Sequence, residues 1–182
     1  MRYLFLSLVV VIGLAACKQP VKGRNGVSYK SATDYNDYIV NRQTALMKNV
    51  LDFGRLADIS IDSAAAMLKT SAIQATKMIN EIKGMPPYKG DSALRDAAIN
   101  SFIFYKGVFE KDYADILNIK RKGSENITSD DVAEANRIVD RIGKEEEVLD
   151  KAFHNAQKAY ADKNNMKLID NKMQQEVDKL NQ

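Results

Sequence analysis

The chain has 182 residues, with 27 basic against 24 acidic side chains, one cysteine, one histidine and no tryptophan. One thiol cannot form an intramolecular disulfide, and one histidine with one cysteine is too thin a ligand set for a zinc or haem centre. Five basic residues (Arg2, Lys18, Lys22, Arg24, Lys30) and no acidic ones precede Ser31, so the remainder is near neutral and lacks the basic excess of a nucleic-acid-binding domain.

Met1-Arg2 gives a positive start, and Leu4 to Leu14 is an apolar run. That length suits the hydrophobic region of a signal peptide and falls short of a comfortable bilayer span. Leu14-Ala15-Ala16-Cys17 closes it, small residues preceding the only cysteine. The four residues resemble the lipobox of bacterial lipoproteins. The resemblance implies cleavage after Ala16 and lipidation of Cys17, whose thiolate takes the diacylglyceryl group. Two or more acyl chains suffice for stable anchoring. Lys18 after the cysteine points to the outer membrane rather than the inner. The absence of an acidic cluster there favours a periplasm-facing position, with the cell surface as the alternative. The expected organisation is a signal peptide over 1–16, a lipidated Cys17 with a flexible basic tether over 17–32, and a helical domain over 33–182. Pro20, Gly23 and Gly26 in polar surroundings carry the tether expectation.

Four segments then show helical spacing. From Thr33 to Ala57, Tyr35, Ile39, Leu46, Val50 and Phe53 share a face. In the second, Ile61, Ala65, Leu68, Ala72, Ala75, Ile79 and Ile82 repeat at threes and fours, with Ser60 or Asp62 to cap the start and Gly84 to end it in the left-handed conformation. Gly84-Met85-Pro86-Pro87-Tyr88-Lys89-Gly90 breaks the pattern. The third runs from an Asp91 cap to Gly123, its face formed by Leu94, Ala98, Tyr105, Val108, Phe109, Ile116 and Ile119 and widened by Phe102, Ile103, Phe104 and Tyr113. Thr128 and Asp131 form a capping box for the fourth, with Val132, Ala135, Val139, Ile142, Leu149, Phe153, Ala156 and Tyr160 inward. A weaker period continues through Met166, Ile169, Met173 and Val177, and a break is expected near Asn164-Asn165 because an unbroken rod would approach 80 Å. No strand-like alternation is evident. The fold expected is all-α, an antiparallel up-down-up-down four-helix bundle with an additional C-terminal helical segment; an elongated coiled coil is the alternative.

No catalytic, metal-binding or cofactor-binding signature stands out. His154 lacks the Glu-x-x-His spacing of bundle metal sites, and its neighbour Asp150 reads as a surface partner one turn away. There is no nucleophile elbow and no glycine-rich phosphate loop. Asp112 and Glu146 occupy places on or beside an apolar stripe. They are either edge residues paired with Lys or Tyr, or the marks of a polar pocket. Pro86, Pro87 and Tyr88 read as an exposed apolar tip able to touch a partner, or simply as a helix stop. Tyr35, Tyr105 and Tyr160 are expected in the core with hydrated hydroxyls. The layout resembles small all-helical envelope or surface lipoproteins of Gram-negative bacteria such as Bacteroidota and spirochaetes. That resemblance transfers no functional residue other than Cys17. The expected role is a non-enzymatic, membrane-anchored binding or accessory module for an envelope protein, without cofactor, metal or nucleic acid. The alternative is a carrier or sensor of a small apolar ligand held between the helices.

Overall fold

A computed structural model of the chain describes residues 9–12 and 20–170. The lipobox with Cys17, and residues 171–182, lie outside the described residues. The described chain is mostly helical, as its spacing predicts, with four short strands that the spacing did not predict.

Strand β1 (Val9–Ile12) pairs antiparallel with the last element, β4 (Lys167–Asp170), in the register Val9 to Asp170. Strands β2 (Val21–Lys22) and β3 (Ser28–Tyr29) form a hairpin. This corrects the expectation of a flexible tether. Gly26 takes the turn at φ +81°, and Gly23 N–H donates to the Val27 carbonyl at 2.8 Å. Tyr29 is buried at the hairpin base, edge-on to Tyr35 and Tyr38 with ring centroids 5.2 and 5.4 Å away. One buried aromatic ring of this size contributes about 2 kcal/mol, enough to hold so short a hairpin against the helices.

Helix α1 (Ala32–Ile59) begins where Ser31 Oγ accepts the Asp34 N–H at 3.0 Å. At its far end Ser60 N–H donates to the Leu56 carbonyl, while Ser60 Oγ accepts the Ser63 N–H at 3.2 Å and opens helix α2 (Ile61–Lys83). A single serine therefore closes one helix and caps the next. Gly84 ends α2, but at φ −75° rather than in the left-handed region. It is needed for space instead: a β-carbon there would lie 2.8 Å from Asn25 of the hairpin.

Helix α3 (Ala93–Gly107) passes through a π-helical turn (Val108–Asp112) into α4 (Tyr113–Lys120). The extra residue in such a turn rotates the inward face. Val108, Phe109 and Asp112 are buried, whereas Ile103, expected on the apolar face, is 49 % exposed. Helix α5 (Ser129–Lys163) starts on the Thr128–Asp131 capping box and stops at Asn164, where the spacing places its break. Asn165 then takes φ +53° and the chain leaves as β4, not as a further helix over 167–170.

Contacts join α1 to α2, α2 to α3 and α3 to α5 around one main apolar core. The first turn of α1, the 84–92 loop and the last turn of α5 meet at one end. Tyr35 Oη donates to the Pro86 carbonyl at 2.9 Å and Tyr160 Oη to the Ala32 carbonyl at 3.0 Å. At the other end Lys120 and Arg121 of α4 pair with Asp58 and Asp62 beside the α1–α2 corner. A second, smaller apolar cluster of Val108, Ile138 and Ile142 seats the first half of α5.

Candidate functional site

Helix α5 supplies the chemistry of the interior. Its inward residues are Ile138, Ile142, Glu146, Asp150, Phe153, Gln157 and Tyr160, a run at threes and fours with polar groups in three of its places. The sequence-predicted stripe is rotated from this one, and its members Val132 and Val139 are exposed. Asp150, read as a surface partner of His154, is only 7 % exposed.

Glu146 and Asp150 stand one turn apart on the same buried face. Glu146 Oε1 accepts the hydroxyl of Tyr105 from α3. Burial pushes the Glu146 carboxyl up to about 7, partly opposed by the Tyr105 bond, and pushes Asp150 up to about 9, with the charge of Glu146 adding to the effect. The same enclosure raises Tyr105 well above the ordinary tyrosine range, burial leading and the two carboxylates following. At neutral pH the pair therefore holds at least one proton that an unfolded chain would release. Asp150 Oδ2, Gln43 Oε1 and His154 Nδ1 are buried without a hydrogen-bond partner among the described residues. Beyond them Gln157 Nε2 donates to Asn36 Oδ1 at 2.9 Å, tying α5 to α1 through fully buried amides.

Asp112, 4 % exposed, is turned inward by the π-helical turn and accepts from the half-exposed Arg141 guanidinium of α5, which also reaches Glu145 at 3.6 Å. Asp112 and Glu146 both face Tyr113 closely enough to raise its hydroxyl pKa, after burial. Each nevertheless keeps its own partner, Arg141 for one and Tyr105 for the other. The shallow groove beside Asp112, about 480 Å³, is lined by Phe104, Val108, Arg141 and Glu145 and not by Glu146. Asp112 is thus held beside a surface groove, and Glu146 within the buried cluster of Tyr105 and Asp150. The sequence singled out both positions but missed Asp150, Gln43, Asn36 and Gln157. For α5, polar residues at three of the four steps of a three-four rhythm between Ile142 and Tyr160 were the available signal.

Pro86, Pro87 and Tyr88 form no exposed apolar tip. Met85 and Tyr88 are buried, and only Pro87 in this group is exposed. Tyr88 bridges to Asp91 through paired backbone bonds of 2.9 and 3.0 Å, and its ring lies 5.2 Å from Tyr35 and 5.5 Å from Tyr160. Lys89 at φ +51° and Gly90 at φ +84° make the turn between. The core tyrosines donate to protein acceptors: Pro86 for Tyr35, Glu146 for Tyr105, Ala32 for Tyr160.

A groove of about 660 Å³ lies between α2 on one side and the π-helical turn and α4 on the other. Buried Leu68, Phe109 and Leu117 line it together with Ala65, Ala72 and Ala114, the charged side chains Lys69, Glu110 and Arg121 border it, and Ile73 stands at its edge, 71 % exposed. Among the described residues no group of three or more His, Cys, Asp or Glu side chains could hold a metal ion, and no helix is long and apolar enough to cross a membrane. No family model, no curated protein and no solved structure matches the chain.

Proposed function

We propose that this chain is a lipoprotein held at the outer membrane through Cys17, facing the periplasm, whose helical domain serves as a binding or accessory module for another envelope protein. The anchor is supported by Leu14-Ala15-Ala16-Cys17 after an apolar run and a positive start. An antiparallel up-down-up-down arrangement of four helical rods is supported by the contacts that gather the start of α1, the end of α2, the start of α3 and the end of α5 at one end.

The binding role is carried by one observation, the apolar groove between α2 and α4 with Ile73 exposed at its edge. An isolated exposed isoleucine is ordinary. Beside a trough lined in part by small side chains, it offers an anchor and a slot for a partner's apolar residues. The groove is not an enclosed cavity, which suits a partner's side chains better than an enclosed small ligand.

A photo-reactive residue at Ile73, with a control at Ile59, tests this in native membranes. Ile59 is 80 % exposed at the α1–α2 corner, away from the groove lining. A discrete adduct from position 73, absent from position 59 and lost when Thr76, exposed in the groove lining, is replaced in Thr76→Glu, is expected. Equal labelling at both positions, or none beyond the chain itself, would overturn the binding role.

A further inference from the structure

Cations without an acidic partner gather at one end of this molecule. Lys22, Arg24 and Lys30 of the hairpin segment, Lys83 at the end of α2, Lys89 in the 84–92 loop and Lys167 of β4 are all exposed, and none has an ion-pair partner among the described residues. Lys89 donates instead to the neutral side chain of Asn164 at 2.5 Å. These segments are bound to one another: Arg24 N–H donates to the Gly84 carbonyl at 2.8 Å, Asn25 Nδ2 to the Glu81 carbonyl at 3.0 Å, and Lys163 pairs with Asp91. The opposite end is arranged differently. There the Lys120-Arg121-Lys122 cluster is neutralised residue by residue by Asp58, Asp62 and Asp131, at 2.5, 2.9 and 2.6 Å. Exposed Glu125 and Asp130 stand nearby with no basic partner among the described residues. Along α1, 28 residues and about 42 Å long, the molecule is thus polarised from basic to acidic.

The basic end is also the end nearest Cys17. Four peptide steps separate that residue from Val21, the first residue of the packed hairpin, so even a fully extended connection reaches only about 14 Å. The packed hairpin keeps this end close to the anchor, because Tyr29 and Asn25 fix it to α1 and α2.

Resting on the lipoprotein reading above, we infer that the hairpin, the 84–92 loop and the β2-proximal end of the helices form a membrane-facing surface that docks on anionic phospholipid headgroups. The long axis of the domain then stands away from the bilayer, and the acidic end projects outward. Anionic lipid is the occupant that fits: the anchor brings this end to a headgroup plane, and its six unpaired cations outnumber Asp34 and Asp37, the acids of that end with no ion pair among the described residues. Each such cation near an anionic surface is worth roughly a fivefold gain in association.

The test uses the full lipidated chain in phosphatidylcholine vesicles with and without phosphatidylglycerol, carrying a donor dye at Pro87→Cys or at Ser124→Cys and an acceptor on the lipid headgroups. Acylation of Cys17 leaves the added thiol as the labelling site. Energy transfer from position 87 should rise on adding phosphatidylglycerol and fall back with salt, whereas transfer from position 124 should stay low. Replacing Lys22, Arg24 and Lys30 together by Gln, all exposed and outside the core, should lower the docked-to-undocked ratio roughly 100-fold. Transfer from position 87 that ignores both phosphatidylglycerol and the triple replacement, in a protein whose intact mass shows the acyl chains, overturns the docking surface and leaves the anchor standing. An intact mass without acyl chains overturns the anchor, and the docking surface with it.

Discussion

Replacing Asp150 by Asn should stabilise the protein at neutral pH and leave it unchanged in acid. Asp150 is 7 % exposed, one turn from the equally buried Glu146, and its carboxyl is raised from 3.8 to about 9, first by burial and then by the neighbouring charge. Between those values the folded protein keeps a proton that the unfolded chain gives up. Stability from this group is complete below pH 3.8, falls as pH rises, and is fully lost above about pH 9. Each pH unit in that window is worth about 1.4 kcal/mol, so three units from pH 4 to pH 7 give roughly 4 kcal/mol for Asp150 alone. Relaxation and water entry around a buried charge reduce such penalties, and about 2 kcal/mol is the expected remainder. Asn cannot ionise and is nearly isosteric. Urea midpoints followed by circular dichroism between pH 4 and pH 9 should therefore diverge, the Asp150→Asn curve staying flatter and lying above wild type by about 2 kcal/mol at pH 7. Glu146→Gln, which keeps an acceptor for Tyr105, should flatten the portion below about pH 7. Parallel wild-type and Asp150→Asn curves would mean that Asp150 ionises without penalty, and the buried-pair account would be wrong.

Asn25→Ala removes a side chain that ties the hairpin to Glu81, Tyr29 and the Val27 N–H, and should cost about 2 kcal/mol while opening residues 21–30 to amide exchange. Gly84→Ala should do likewise through the 2.8 Å approach of Asn25, and an unchanged exchange pattern in both variants would argue against docking of the hairpin. Arg141→Ala leaves Asp112 buried without its cation and should destabilise by about 3 kcal/mol, against less than about 0.5 kcal/mol for Arg137→Ala in an exposed i,i+3 pair. Equal effects from these two arginines would show that Asp112 finds another partner or water. Removing residues 1–16 also removes β1, so amides of β4 should exchange faster in the processed protein than in an uncut Cys17→Ala chain. Identical exchange in the two would mean that the β1–β4 pairing contributes nothing to β4.

Helix ends were legible because they depend on local chemistry. Ser60, the Thr128–Asp131 box and the Asn164-Asn165 stop are written in neighbouring residues, and the structure uses all of them. What depended on distant packing was not legible. The π-helical turn has no breaker residue to announce it, so Ile116 reads as inward where Leu117 is the buried residue. In α5, Glu146, Asp150 and Gln157 take stripe positions that a hydrophobicity pattern assigns to apolar residues, and the predicted face slipped toward Val139. The glycines and polar residues of 20–31 look like a tether, and it is the packing of Tyr29 against Tyr35 and Tyr38, with the bonds of Asn25, that holds them as a hairpin. Gly84 ends its helix as expected, but the reason, contact with Asn25, joins segments far apart in the chain. Asp112 and Glu146 stood out as misplaced acids. Their separate partners, Arg141 and Tyr105, came only with the fold.

Lipid attachment at Cys17 is the claim on which the membrane position, the short connection to the hairpin and the basic docking end all depend. Intact mass of the protein extracted from native membranes tests it most directly. A chain beginning at Cys17 and carrying a diacylglyceryl group, with Cys17→Ala remaining uncut and unacylated, is the predicted result. A wild-type chain that retains residues 1–16, or one cleaved there with an unmodified thiol, would contradict it.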